Sequence, residues 1–156
     1  MNNSDYDSEA APAPTGRVDP DNPWGTFLDV RFGPLERFDI NVLVAANDRP
    51  WYNETLTRIN DSVVRLGVVH GVFPWHSHDD TDEFFYVVEG RLLMDLEGGR
   101  TVELGKGQGI SVPTGARHRP RAPEKTVVLM VEDAGIVPLG DTAPAAQAVP
   151  ADEPAL

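Results

Sequence analysis

Residues 71–90 read GVFPWHSHDDTDEFFYVVEG, a turn-rich stretch holding two histidines that runs into a short strand-like segment. In a locally extended backbone, residues i and i+2 point to the same side, so His76 and His78 offer two imidazoles to one point. Glu83 opens the strand, whose inward set would then be Glu83, Phe85 and Val87. One carboxylate thus faces the same interior. A second stretch, 107–122, reads GQGISVPTGARHRPRA and enters the strand bearing His118 through Pro113, Thr114 and Gly115. Three neutral imidazoles and a carboxylate suit a divalent first-row metal, and an octahedral ion so held keeps two adjacent positions for substrate, water or dioxygen.

Outward from these stretches, runs rich in Val, Ile, Leu, Phe and Tyr alternate with Gly, Pro, Asn and Asp every eight to twelve residues or so, the texture of an all-β sandwich or barrel. The expected strands are 53–59, 62–70, 83–88, 91–96, 100–104, 109–112, 117–121 and 126–131, with Asn60-Asp61 as a tight turn. A set of this size suits a double-sheet jelly roll. The apolar run Ile40 to Ala46 fits either a strand or a buried helical turn.

The chain has 156 residues, enough for one domain, and its apolar runs are all shorter than the roughly 18 residues that span a bilayer. An untargeted, soluble, cytoplasmic protein with no membrane partner is expected. There is no cysteine, so the available ligands are His, Asp and Glu. The net charge of −12 repels a polyphosphate backbone and argues against a nucleic-acid partner. Much of that charge lies at the ends: residues 1–23 carry five acids against Arg17, residues 141–156 carry three against none, and the central part is only about −5. Both ends are proline-rich with few apolar groups, and are expected to be disordered tails around a domain at 24–140.

The two stretches resemble the paired motifs of the cupin superfamily. In the first, His76-Ser77-His78 is followed after four residues by Glu83 and after six more by Gly90, with Gly71 one position nearer the histidines than usual. In the second, Gly107, Pro113, Gly115 and His118 are in register, and Ala122 stands where asparagine is expected. Sixteen residues, Arg91 to Lys106, separate the motifs, a short spacing similar to that of compact microbial cupins. The resemblance implies a double-stranded β-helix, or jelly-roll barrel, with one divalent transition metal on His76, His78, Glu83 and His118. Fe(II) is favoured, and Zn, Mn, Ni or Co remain open.

The same resemblance implies an enzyme acting on a small organic molecule, foremost a non-heme iron dioxygenase with Glu83 also able to move a proton. A redox-neutral isomerase, cyclase or lyase, with the metal as Lewis acid, is the alternative. A non-catalytic metabolite-binding module is the third. A homodimer is expected from the family. Trp75, Phe85 and Val87 are candidates for an apolar pocket wall. Arg117 and Arg119 should point away from the metal by strand alternation, His70 reads as structural, and Asp79, Asp80 and Asp82 as a solvated loop.

Overall fold

A computed structural model describes Trp24 and residues 26–136. The stretches 1–23 and 141–156, expected as tails, lie outside the described residues. The elements are β1 (Thr26–Phe27), α1 (Ile40–Ala45), β2 (Trp51–Ile59), β3 (Ser62–Val72), β4 (Glu83–Glu89), β5 (Arg91–Leu96), β6 (Arg100–Gly105), β7 (Gly109–Val112) and β8 (His118–Asp133). The main path of pairing is β1-β2-β3-β8-β4-β7, and β5 joins β6 to the early part of β8. This is a single-domain double-stranded β-helix. No helix among the described residues is long and apolar enough to cross a membrane.

The strands expected at 117–121 and 126–131 are one continuous, bent strand. β8 pairs first with β5 (Leu96↔His118, Met94↔Pro120) and then with β3 and β4 (Leu66↔Leu129, Phe85↔Met130). Pro120 and Pro123 look like breaks in sequence because they donate no N–H. Here the register shift opposite Val69/Gly71 absorbs the bend, and the Pro120 carbonyl still accepts from the Phe73 N–H at 3.0 Å. The strand not foreseen, β1, pairs parallel to β2.

The undecided run at 40–46 is helical. Asp39 caps it by accepting from the Asn41 N–H at 2.8 Å, and Leu43 is its buried residue. It packs against Tyr52, Leu56, Leu66, Val68 and Val127 on the outer face of the sheet. The other face holds a second core of Val69, Phe85, Val87, Leu92, Met94, Leu104, Val112, Val128 and Met130. Gly90, at φ 85°, turns β4 into β5 where an added Cβ would lie 2.6 Å from Thr126 Oγ1, so glycine is needed for both angle and space.

Candidate metal centre

The strand alternation foreseen for β4 holds: Glu83, Phe85 and Val87 are buried while Phe84 and Tyr86 are exposed. Residues 73–78 lie beside the start of β8, where His76 and His118 exchange backbone hydrogen bonds of 3.0 and 2.9 Å. This bridge sets the two imidazoles side by side, with ring centres 4.2 Å apart. The Gly115 N–H donates to the His78 carbonyl at 2.7 Å, tying the turn before β8 to the segment bearing the other two histidines. Gly115 takes φ 75°, a backbone angle that favours glycine.

The four residues converge in the interior. Glu83 Oε2 lies 2.9 Å from His118 Nε2, 3.2 Å from His78 Nε2 and 3.9 Å from His76 Nε2. Ligand atoms of His76, Glu83 and His118 all fall within 4.8 Å of one another. His78 stands slightly outside that trio, its ring centre 6.2 Å from that of His118. All four residues are buried.

Tautomers follow from the outer hydrogen bonds. His76 Nδ1 lies 3.0 Å from the Pro74 carbonyl and His118 Nδ1 lies 2.9 Å from the Ala116 carbonyl. A carbonyl only accepts, so each Nδ1 carries the proton and each Nε2 turns a lone pair inward, the arrangement typical of metal-bound histidine. Burial, and after it the neighbouring His118, pushes His76 down to about 4, so its ring is neutral at pH 7.

Burial acts to raise the Glu83 carboxyl, and an N–H turned to it from His118 or His78, or a cation in that place, would hold it below the usual carboxylate range. Even so, Glu83 Oε2, His118 Nε2 and both ring nitrogens of His78 are buried without a hydrogen-bond partner among the described residues. Lone pairs set 2.9 Å from a carboxylate oxygen are an arrangement that a cation, not a proton, satisfies for all the ligands at once. The donor set therefore fits a divalent metal.

A narrow cavity of about 40 Å³ adjoins the cluster. Its apolar wall includes Trp51, Phe73, Phe85, Leu92 and Met130, and its polar groups besides His76 and Glu83 are Asn53 and Glu132. Trp51 stacks on Phe73 at 5.3 Å, and Phe73 meets His76 edge-on at 5.0 Å. Of the wall residues foreseen, Phe85 lines this cavity and Trp75 and Val87 do not. Val87 is packed in the core. Trp75 lies under the guanidinium groups of Arg119 (5.0 Å) and Arg117 (5.7 Å). There it borders a surface cleft floored by Asp95, which accepts from Arg119 and Arg121 and from Thr101.

His70 is exposed on β3, and Asp79 and Asp80 are exposed in the loop. Asp82 has a structural task, since Oδ1 accepts from the Thr114 N–H at 2.8 Å and from its hydroxyl at 2.9 Å, bonds that hold its carboxyl below the usual range. Sequence reasoning missed Glu132, Arg65 and Asn53. The available signal was parity, since Arg65 and Glu132 sit at inward positions of apolar strands.

A family model for the cupin domain matches residues 63–132. An uncharacterized protein of Bacillus subtilis, YdbB, is 39% identical over 94 residues, which cover 59% of this chain and 83% of that protein. Polyketide synthase CurC of Streptomyces cyaneus is 50% identical over 44 residues, 28% of each chain. Among solved structures, a cupin-2 domain-containing protein from Shewanella frigidimarina superposes with a TM-score of 0.58 at 30% identity, covering 62% of this chain and 93% of that one.

Proposed function

This chain belongs to the cupin family, and from that premise we propose that it is a metal-dependent enzyme acting on a small organic molecule, foremost an Fe(II) dioxygenase. The observation that carries the proposal is the buried convergence of imidazole nitrogens on Glu83 Oε2, polar atoms left without hydrogen-bond partners at the wall of an apolar cavity. His76, His78, Glu83 and His118 would hold one divalent ion, and bound iron would supply the electron exchange with dioxygen that an enol, diol or catechol-like substrate lacks by itself.

The remaining work falls to the chain. The carbonyls of Pro74 and Ala116 fix the rings of His76 and His118. Trp51, Phe73, Phe85, Leu92 and Met130 keep the side of the ligand cluster that meets the cavity apolar. Glu83, which belongs to the ligand cluster and also lines the cavity, is placed to take a proton from a substrate hydroxyl. We propose further that the chain works as a cytoplasmic homodimer; a monomer mass by light scattering would count against the pairing.

The second reading is redox-neutral, with the ion as Lewis acid, and the likeness of 44 residues to a chain named a polyketide synthase makes a polyketide the first substrate to try. Elemental analysis of untagged protein purified without added metal or chelator decides the first point. Near-stoichiometric iron, followed by dioxygen uptake matched to loss of a diol or enol, is expected. Turnover that proceeds equally well without dioxygen would overturn the oxygenase in favour of the second reading.

A further inference from the structure

A cleft of about 340 Å³ lies over the β5–β6 hairpin and the start of β8, and its chemistry differs from that of the metal centre. Thr101, Asp95 and Arg119 stand in register across β6, β5 and β8 and form its floor. Four guanidinium groups line it, those of Arg100, Arg117, Arg119 and Arg121. Against them stand the two carboxylates of Asp95 and Glu97, an excess of two positive charges in a chain whose net charge is −12. Asp95 is 6% exposed and orients two of the four. Its Oδ2 accepts from Arg119 Nε and Nη2 at 3.1 and 3.0 Å, and its two oxygens accept from Arg121 Nε and Nη2 at 2.6 and 2.8 Å. The Thr101 hydroxyl donates to the same carboxylate at 2.8 Å, so the anchor is itself fixed. Trp75 backs the guanidiniums of Arg117 and Arg119 and limits where they can swing.

A purely stabilising role would account for Asp95 with Arg119 and Arg121, but not for Arg100 and Arg117, two exposed side chains brought to the same cleft. Arg117 is 3.7 Å from Glu97, in a pair whose side chains are 49% and 71% exposed, so that contact is worth little. Like charges gathered in a concave surface repel one another, and an anion seated among them relieves the repulsion. Guanidinium forks match the oxygens of an oxyanion in pairs, and forks oriented beforehand lose less entropy when it binds. We propose that this cleft binds the phosphate group of a small molecule, with Arg100 and Arg117 as its contacts and Arg119 and Arg121, held by Asp95, as its positively charged wall. The excess of two charges suits a phosphate monoester, which carries close to two negative charges at pH 7, better than a single carboxylate. The volume lies at the lower end of the range for sites of small organic ligands. The site shares no residue with the quartet of His76, His78, Glu83 and His118 and does not depend on what that quartet holds.

The test is a calorimetric titration at low ionic strength with glycerol phosphate, inorganic phosphate and uncharged glycerol. It uses the wild type, Arg100→Ala, Arg117→Ala and the double variant, each checked for folding by circular dichroism. Glycerol phosphate is expected to bind at one site per chain, and glycerol to give no signal. Each single substitution is expected to weaken binding about 10-fold, the usual loss for one charge-assisted hydrogen bond, and added salt to weaken it in the wild type. Tighter binding of glycerol phosphate than of inorganic phosphate would assign the site to an organic phosphate, and equal affinities to the free anion; either supports the site. No saturable binding of either phosphate by the wild type, or wild-type affinity in the folded double variant, would overturn the proposal. The second of these results also identifies a phosphate held by an ion at the metal centre, since the substitutions leave every ligand there in place. Should the double variant fail to fold, the single variants decide by the same criterion.

Discussion

His118 shows how much one side chain is asked to do. Its backbone bridges to His76, its Nδ1 is committed to the Ala116 carbonyl, and its Nε2 faces Glu83 Oε2. Replacing His76 and His118 together by alanine removes two of the three residues whose ligand atoms cluster most tightly. The metal content of the double variant is expected to fall to background by elemental analysis, and full retention would refute the ligand assignment. Asp95 offers a different test at the same scale. Its burial acts to raise the carboxyl, yet hydrogen bonds from Arg121, Thr101 and Arg119 bring it down to about 2 from 3.8. With the folded pKa below the unfolded one, the stabilisation is present above about pH 4 and lost as pH falls towards 2, an effect of about 2 kcal/mol. Urea unfolding across this range should show the gap between wild type and Asp95→Asn narrowing as pH falls, and a constant gap would contradict it. The histidines and Glu83 were legible in sequence because core packing does not place two imidazoles and a carboxylate on one side of a turn-flanked segment. Asp95, Arg65 and Glu132 were missed: strand parity puts Arg65 and Glu132 inward, but a charged residue in a strand reads as solvent-facing until its partner on a distant strand is known.

At the scale of elements, the centre depends on a loop and a turn being held to each other. Asp82 pins Thr114, and Gly115 bonds the His78 carbonyl, so the turn that launches β8 is fastened to the segment carrying His76 and His78. Asp82→Ala removes one of these fastenings without touching a ligand, and zinc binding is expected to weaken several-fold with secondary structure unchanged. Asp82→Asn keeps an acceptor for the Thr114 N–H and should stay close to the wild type; equal affinity for all three proteins would show that the fastening has no bearing on the site. Most strands were readable from alternation and turn residues. β8 was not readable as one strand because its prolines lie where the ladder changes partner, from β5 to β3 and β4, and a change of partner leaves no local mark. The run at 40–46 stayed ambiguous because so short an apolar stretch satisfies either periodicity, and only its packing on Leu56, Leu66 and Val68 decides for the helix.

Over the whole molecule, the candidate ligands come from the segment before β4, the start of β4 and, 35 residues further on, the start of β8, and all of them close one end of the inner core. An ion bound there ties these elements together in the folded state and finds no such set in the unfolded chain. It must therefore stabilise folding by linkage, about 2.7 kcal/mol when free metal is a hundredfold above Kd. For a domain of this size that corresponds to a rise in Tm on the order of 10 °C. The interior makes the effect larger in one respect: without a cation, Glu83 Oε2 and the imidazole nitrogens remain buried and unpartnered, a cost borne only by the folded state. Stripping the protein with EDTA, dialysing the chelator away and melting it with and without added Zn²⁺ or Fe(II) measures this directly. The stripped protein is expected to melt lower and to recover when the ion returns, with the gain lost in the His76→Ala/His118→Ala variant. An unchanged Tm at saturating metal would mean that the folded chain holds the ion no better than the unfolded one, and the quartet would then be polar packing and not a metal centre.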